Sequence, residues 1–442
     1  MHYTNRKRGS LMKVGHLIRA ERIRQKMKQI VLARGICTPS YLSKIERNLI
    51  FPSEQIVTLL FNKLNIDVNM LQVNDHQTDI EYENILKVSY KEVITKRDES
   101  FTQQKLDELV KQSPLFENQS LYYTYQLITL RFRIILDHDT VQLKKDIETL
   151  DQISENFNST HMYLFKINKA LYYYTTKNQK KAIKYLEEVL SIIDTIRLEN
   201  WEKAELNYII GIIYTADNRI FTSIDYIRRA LEYFRENFLM KRVLDCYIVI
   251  GITQKRSEQF QDALESYFKA KQICDEFKLT SKVGIIYHNL GSLSGIMGKN
   301  EEAIEYFKES IKYKSDKKRR LISIFGIIME LSKMNNKRLV NEWCDRGIEL
   351  LVQLKDENVT SYYHHFNFFK SLHSDNGLSD TIAIQAIDYF KKIQDFQYIH
   401  KYSIALAEYY FTQRKYKLSS ILYNEANRYG YIYRKNMKWE DL

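Results

Sequence analysis

The pattern of apolar and polar positions predicts helices along the chain. In the first seventy residues, apolar side chains three or four positions apart predict four short helices around one core. Three prolines and 13 glycines in 442 residues supply too few turns for a strand-rich fold, so the sequence predicts an all-α protein. The positions predicted to form this first core are Val14, Leu17, Ile18, Ile23, Val31, Leu32, Leu42, Ile45, Ile56, Leu59, Leu60 and Leu64.

The segment after the first predicted helix contains the signals of a turn between two helices. Gly35 is expected to end a second helix near Lys28–Ala33, because glycine adopts the left-handed geometry common after a helix. Thr38 can cap the next helix and Pro39 suits its first position, so a third helix is expected to run to about Asn48. Two short helices joined by a tight turn and braced by flanking helices predict a helix-turn-helix motif.

The positive charge of the chain is concentrated at this end. The formal net charge is +12, and residues 1–70 hold thirteen Lys or Arg against four Asp or Glu. The rest of the chain is nearly balanced, so these seventy residues are the part expected to bind a polyanion. Side chains of the third helix opposite Leu42 and Ile45 are placed to reach base edges and phosphates. The candidate DNA contacts are Lys28, Gln29, Thr38, Ser40, Tyr41, Lys44 and Arg47.

The stretch LIRAERIRQKMKQIVLARGICTPSYLSKIERNLIFPS resembles the DNA-binding domain of the PlcR/NprR-type peptide-responsive regulators, within the Rap/Rgg/NprR/PlcR/PrgX superfamily. The resemblance implies a structural pair between Arg22 and Glu46, and it matches Gln29 to the family's glutamine at the start of the second helix. Two positions depart from the family pattern. Lys28 replaces the usual Thr or Ser cap, and Lys26 replaces the usual Gly or Asn of the turn. In length the chain is NprR-like.

Self-similarity is found further along the chain. Gly211, Gly251 and Gly291 are in register at intervals of forty residues. A small residue follows each glycine after twelve positions, and a large apolar or aromatic residue follows after sixteen. Small residues allow the two helices of a hairpin to cross closely, and the large residue fills the gap between them. The small residues are Ser223, Ala263 and Ala303, and the large ones are Ile227, Tyr267 and Phe307.

This pattern is similar to the tetratricopeptide repeat, with a period of about 40 residues in place of about 34. About eight helical hairpins are expected over residues 120–442, wound into a right-handed α-superhelix with a concave inner face. The expected division of the chain is a disordered basic leader at 1–11, with Met12 as a second candidate start, a helix-turn-helix domain at 12–70, a linker at 71–80 and the repeat array at 81–442.

Polar residues on the first helices of these hairpins suggest a ligand. Asparagine amides can both donate to and accept from the backbone of an extended peptide, and Lys or Arg can hold a carboxylate. Stacked hairpins lie about 10 Å apart and an extended chain advances about 3.3 Å per residue, so four hairpins predict a linear peptide of about five to ten residues. The candidate peptide contacts are Asn168, Asn207, Tyr208, Lys255, Arg256, His288 and Asn289.

The motifs of common enzyme classes are missing from the sequence. It contains no Walker loop, no G-x-G-x-x-G, no G-x-S-x-G and no H-E-x-x-H. The four cysteines are scattered without a C-x-x-C pair, which suits a reducing cytosol and argues against zinc. No run approaches the roughly 18 apolar residues of a membrane span. We therefore expect no enzyme activity, no cofactor, no metal site and no membrane partner.

Together these features predict a cytoplasmic transcriptional regulator that binds double-stranded operator DNA and is switched by a short signalling peptide. It is expected to be a homodimer or a higher oligomer, because operators of such motifs commonly contain two half-sites. The resemblance implies a quorum-sensing system. Two alternatives remain open: the repeats sequester a response-regulator protein, as in Rap-type relatives, or they serve only as an oligomerisation scaffold for a repressor without a ligand.

Overall fold

A computed structural model describes residues 14–66, 79–111, 118–137, 139–354 and 359–434. Over these residues the chain forms 22 α-helices and two short 3-10 turns, and no β-strand. The leader at 1–11, the alternative start at Met12 and most of the expected linker lie outside the described residues. Among the helices within these ranges, none combines the length and the hydropathy needed to cross a membrane.

The helices fall into a group of four followed by a long series of pairs. They are α1 Gly15–Arg24, α2 Gln29–Ala33, α3 Pro39–Glu46, α4 Glu54–Lys63, α5 Asp79–Lys96, α6 Glu99–Lys111, α7 Gln119–Ile135, α8 Thr140–Ile153, α9 Ser159–Thr175, α10 Gln179–Leu190, α11 Asn200–Ala216, α12 Ile220–Glu236, α13 Met240–Arg256, α14 Phe260–Glu276, α15 Thr280–Ile296, α16 Asn300–Tyr313, α17 Lys317–Lys333, α18 Lys337–Leu354, α19 Thr360–Leu372, α20 Asp380–Lys392, α21 Phe396–Thr412 and α22 Tyr416–Arg434.

The first four helices, residues 14–66, form a small domain that we call the head. Its core differs from the predicted one in the second and fourth helices. Val31 and Leu59 were expected inside but are 43% and 49% exposed, and Leu17 and Ile56 are only half-buried. The helix α2 has only five residues. In α4 the buried face is rotated relative to the predicted one, by about one residue position. The buried apolar residues of the head are Val14, Ile18, Leu32, Ala33, Leu42, Ile45, Val57, Leu60, Phe61 and Leu64.

The remaining helices form tetratricopeptide-like hairpins, which confirms the predicted fold class. From α7 to α22 the described residues contain eight hairpins, the number expected from the sequence, and α5 with α6 adds one before them. The chain divides into two compact units, Met1–Val249 and Ile250–Leu442. The head and the hairpins up to α11–α12 lie in the first unit, and the hairpins from α15–α16 onward lie in the second.

The predicted glycine register is found in the packing of the hairpins. A Cβ atom on Gly211 would lie 2.3 Å from Cδ1 of Ile227, and one on Gly291 would lie 2.9 Å from the ring of Phe307. The hydroxyl of Ser223 also donates to the carbonyl of Gly211 at 2.8 Å. The first helix therefore has to carry glycine at this position, because the side chain from the second helix fills the space of a Cβ. Tyr267 packs on Gly251 in the same way.

The turns between the central helices repeat every twenty residues. Each contains one residue with a left-handed backbone, and these are Asn218, Phe238, Glu258, Lys278 and Gly298. The amide of the next residue then donates back to the last turn of the helix, as from Leu279 to the carbonyl of Cys274 at 2.9 Å. Only Gly298 adopts this geometry without a Cβ penalty.

We expect Lys278→Gly to stabilise the second unit by about 1 kcal/mol, because the exposed lysine has φ 53° and glycine removes the steric cost of that geometry. Gly298→Ala should destabilise it by a similar amount, since a Cβ there meets no atom within 4 Å and only the backbone is strained. Urea melts of the full chain measure both. Gln272→Gly, at an exposed position inside α14, is the control and should destabilise.

Candidate DNA-binding head and ligand-binding repeat faces

The helix α3 presents an exposed polar face. Thr38 caps the helix by accepting from the amide of Tyr41 at 3.2 Å, and Pro39 occupies the first helical position. Ser40, Lys44 and Arg47 are exposed. Their spacing of four and three residues places them on one side of the helix, opposite the buried Leu42 and Ile45. This face has the polarity and the charge that contact with a nucleic-acid backbone requires.

Two of the candidate DNA contacts have partners inside the head. Tyr41 is half-buried and packs against the head core. Gln29 donates through Nε2 to Oε2 of Glu46 at 2.7 Å. Lys28 is exposed just before α2, and its side chain makes no capping hydrogen bond. Tyr41 and Gln29 therefore hold the head together, and Lys28 stays at its surface.

Arg22 and Glu46 join the first and third helices. Arg22 donates to the two carboxylate oxygens of Glu46 through Nε at 2.5 Å and through Nη2 at 2.8 Å. Its Nη1 donates to the carbonyl of Met27 at 2.9 Å. The side chain of Glu46 is only 2% exposed and that of Arg22 only 13%. With Gln29, this network fixes α2 between α1 and α3, which sets the angle of the helix-turn-helix.

The departure at Lys26 has a structural consequence. This lysine has a left-handed backbone, φ 55°, in the turn between α1 and α2. Glycine or asparagine adopts that geometry at low cost, which explains why the family pattern has them there. The chain retains the turn and accepts the cost of a Cβ.

The head is docked on the second hairpin of the array. His16 of α1 is buried, and its ring lies 5.2 Å from that of Tyr122 in α7. Arg19 donates to Oε1 of Glu155, in the turn after α8, at 2.6 Å. These contacts join positions more than a hundred residues apart in the sequence, and no sequence pattern pointed to them.

The surface that faces the head is acidic. A cleft of about 590 Å³ is lined by Lys26 and Lys28 on the head and by Glu148 and Asp151 on α8. The hydrogen bond from Arg19, followed by the charges of Arg19 and Arg47, lowers the pKa of Glu155. The end of α3 therefore lies within the field of an acidic side chain of the array.

The candidate peptide contacts of the first unit are largely inaccessible. Asn168 is 1% exposed and donates through Nδ2 to the carbonyl of Leu127 at 2.8 Å. Tyr208 is buried beneath the guanidinium of Arg242, whose carbon lies 4.4 Å from the ring centre. Asn207 is half-buried. Asn168 and Tyr208 are therefore buried between helices, and Oδ1 of Asn168 has no hydrogen-bond partner among the described residues. Their contact with a peptide stays a prediction.

The second unit brings its candidate contacts together. Lys255 donates to the hydroxyl of Ser292 at 2.9 Å, and His288 shares a hydrogen bond of 3.1 Å with the hydroxyl of Ser323. Lys314 also donates to Ser323, at 2.8 Å. We call these five residues the lysine face. They come from α13, α15, α17 and the turn after α16.

The lysine face is basic and poorly solvated. Burial, and secondarily the charge of Arg256, lowers the pKa of Lys255 to about 8. Burial, and secondarily the charge of Arg319, lowers the pKa of Lys314 to about 8. Burial, then the charges of Lys314 and Lys255, lowers the pKa of His288 to about 3. Within the described ranges, neither Lys255 nor Lys314 has an acidic side chain within 4 Å. A carboxylate would therefore find two under-compensated ammonium groups here.

The other two candidates of this unit flank the lysine face. Arg256 is exposed at the end of α13. Asn289 is 8% exposed and donates through Nδ2 to the carbonyl of Ile285, in its own helix, at 3.1 Å. The sequence did not single out Ser292, Lys314 or Ser323. The two serines follow no distinctive spacing, and Lys314 lies in a turn, so no periodic signal could have found them.

Comparison with known proteins agrees with this architecture. A helix-turn-helix family model matches residues 18–71, and a tetratricopeptide repeat model matches 165–195 and 285–317. The chain is 28% identical over 423 residues to the transcriptional activator NprA of Geobacillus stearothermophilus, covering 92% of this chain and 99% of that protein. It is 22% identical over 324 residues to the response regulator aspartate phosphatase I of Bacillus subtilis (strain 168), covering 71% of this chain and 82% of that protein.

Solved structures share the fold. A Rap protein complexed with Competence and Sporulation Factor has a TM-score of 0.66 and 19% identity, covering 81% of this chain and all of that one. NprR in complex with its cognate peptide NprX has a TM-score of 0.63 and 17% identity, again covering 81% of this chain and 100% of that one. With a helix-turn-helix head and a tetratricopeptide array, the chain is similar to the helix-turn-helix–tetratricopeptide regulators of the Rap/NprR type.

Proposed function

We propose that the protein is a cytoplasmic transcriptional regulator that binds operator DNA through α3 and is switched by a short linear peptide bound to its repeats, as part of a quorum-sensing system. The observation that carries the DNA-binding part is the capped helix α3 with its exposed Ser40, Lys44 and Arg47. The similarity to a relative that is named as a transcriptional activator supports DNA binding, because the match covers nearly the whole of both chains. Two copies of the head would read two half-sites, so the active form is a homodimer or a higher oligomer.

We expect the double variant Lys44→Ala/Arg47→Ala to bind DNA at least tenfold more weakly, because each side chain contributes one phosphate or base contact. The slope of log affinity against log salt should also become shallower by about 1 for each phosphate contact that is lost. A duplex selected from a random pool by the wild type is the probe, and fluorescence anisotropy is the measurement. Lys87→Ala, at an exposed position of α5, is the control. Equal affinity and equal salt slope in the double variant would remove α3 from the DNA interface.

The peptide part rests on the lysine face. Two lysines of low pKa without an acidic neighbour in the described residues suit the C-terminal carboxylate or an acidic side chain of a peptide. The hydroxyl of Ser292, which accepts from Lys255, can rotate to donate to a ligand. Asn289 and Arg256 are retained as flanking contacts. The neighbour NprR is described in complex with a cognate peptide, which supports the ligand class.

We expect Lys255→Gln to weaken peptide binding at least tenfold, and we expect the affinity of the wild type to fall as the pH rises through about 8. Only the protonated ammonium attracts a carboxylate, and the pKa of Lys255 is lowered to about 8 by burial. The measurement is calorimetry with a peptide selected by the wild type. Analogues with a C-terminal amide, or with the amide residue in place of Glu or Asp, identify which carboxylate of the peptide binds. Lys299→Gln, which changes the exposed lysine directly before α16, is the control. If Lys255→Gln binds as the wild type does, the peptide lies elsewhere.

A second candidate function is binding of a response-regulator protein. It is favoured by the similarity to a response regulator aspartate phosphatase over 71% of this chain. The discriminating measurement is binding of an isolated receiver domain to the full chain, with and without peptide. Stable binding without DNA would favour this function. No stabilisation by any peptide and no binding of a receiver domain would leave the array as an oligomerisation scaffold.

A further inference from the structure

A cluster of charges lies inside the first unit, where the first helices of three hairpins meet the link between α5 and α6. Arg131 of α7 donates through Nη2 to Oε1 of Glu205 in α11 at 2.5 Å. Arg242 of α13 donates through Nη2 to Oε2 of the same carboxylate. Nη1 of Arg97, from the link, lies 4.0 Å from Oε1. We call these four residues the arginine cluster.

The guanidinium groups of the arginine cluster have more donors than acceptors. The side chains of Arg131 and Arg242 are 2% and 0% exposed. Nε and Nη1 of both, together with Nη1 of Arg97, are buried and have no hydrogen-bond acceptor among the residues that the structure describes. A buried donor without an acceptor costs about 1–3 kcal/mol, and more when it is charged. All three groups converge on the carboxylate of Glu205, so these unpaired donors belong to one buried cluster.

Two acidic side chains act on the guanidinium groups of the cluster. Glu205 bonds to Arg131 and Arg242, and the buried Asp245, three residues after Arg242 in α13, acts on Arg242. Glu202 accepts from the amide of Glu199 at 2.9 Å, and its charge acts on Tyr90 and Tyr163 beside the cluster. Among the described residues, what the cluster lacks is therefore hydrogen-bond acceptors.

The surroundings of the cluster make its unpaired donors costly. The rings of Tyr90, Tyr163 and Tyr208 are buried around the cluster. Burial, followed by the charge of Arg242, lowers the pKa of Arg97, and the charge of Glu205 offsets this only in part. The side chain of Arg97 is 22% exposed, so the cluster can be reached from solvent on that side.

We propose that the arginine cluster is a binding site for a small monovalent anion, of the size of chloride or acetate. One such anion accepts from the free guanidinium edges, whose fork geometry suits halide and carboxylate acceptors. It links α7, α11 and α13 to the α5–α6 link, where Lys241 and Asp98 form a further ion pair at 2.6 Å. Bound anion therefore stabilises the first unit. This proposal is independent of the DNA and peptide functions.

The test is a series of thermal melts of the full chain at constant ionic strength, in which the sodium salt of a bulky sulfonate is replaced stepwise by sodium chloride or sodium acetate. We expect a saturable rise in Tm with at least one of the two small anions, because a ligand of the folded state stabilises by mass action. In Arg97→Gln the apparent affinity should fall at least tenfold. Arg228→Gln removes the same charge from an exposed position of α12 and should respond as the wild type does.

Crystals of the wild type grown in sodium bromide give a readout that needs no variant. An anomalous difference peak within about 3.5 Å of guanidinium nitrogens of Arg131 and Arg242 would support the site. The proposal is overturned if chloride and acetate raise the Tm no more than the sulfonate does, or if Arg97→Gln and Arg228→Gln respond alike. A bromide crystal without density at the cluster would also overturn it.

Discussion

The Glu46→Gln variant is expected to lose about 3–5 kcal/mol of the stability of the head. Glutamine keeps the shape of the side chain but removes the charge that compensates Arg22, which is itself only 13% exposed. Its amide would also place N–H donors against the donors of Arg22 and Gln29, where the carboxylate accepts from both. The head would then lose the network that positions α2.

Thermal melts of residues 12–70 measure this loss, and hydrogen exchange of α2 and α3 in the full chain checks it in context. Glu54→Gln is the matched control, because Glu54 is exposed in the first turn of α4 and contributes mainly through the helix dipole. It should cost less than about 1 kcal/mol. Equal melting of Glu46→Gln and the wild type would show that the Arg22–Glu46 contact adds little to stability.

Phe307→Ala is expected to destabilise the second unit by about 3–5 kcal/mol, the usual cost of emptying an aromatic core position. Phe307 is 3% exposed and fills the space above two glycines. A Cβ on Gly291 would lie 2.9 Å from its ring, and one on Gly326 would lie 2.7 Å from it. Because the glycines have no side chains, neither of them can fill the cavity.

Two further variants separate this packing from general hydrophobicity. Phe268→Ala, at a position of α14 that is 48% exposed, should cost far less in a urea melt. Gly291→Ala alone should cost about 1–3 kcal/mol by overpacking, yet in the Phe307→Ala background the added methyl occupies the cavity and should stabilise. If the two substitutions were additive, Gly291 and Phe307 would not share one space.

Local signals in the sequence were sufficient to predict the fold. Thr38, Pro39 and Gly35 each have the conformation that their chemistry favours, so the turn and α3 could be predicted from them. The register of Gly211 with Ile227 repeats every forty residues, and repetition makes a packing rule visible without a structure. The predictions for Val31 and Leu59 were wrong about the side of a short helix that faces the core. The few residues of a short helix do not determine that side by themselves.

The sites were less predictable because they depend on contacts between distant helices. Asn168 has the chemistry of a peptide contact, but it is buried and its Nδ2 donates to a carbonyl forty-one residues away. Lys314 and the partners of Glu205 belong to clusters whose members share no sequence interval. The docking of His16 on Tyr122 likewise depends on tertiary packing, which periodicity does not encode.

The spacing of twenty residues between the central turns also limits the insertions and deletions that such an array can accept during evolution. Six successive helices begin at residues 200, 220, 240, 260, 280 and 300. Duplication or loss of a forty-residue segment in this stretch leaves each following helix start, left-handed turn and glycine in phase. A change of any other length moves a glycine away from the side chain that covers it. Related arrays should therefore differ in this region by whole hairpins, and single-residue insertions should be confined to the ends of the series.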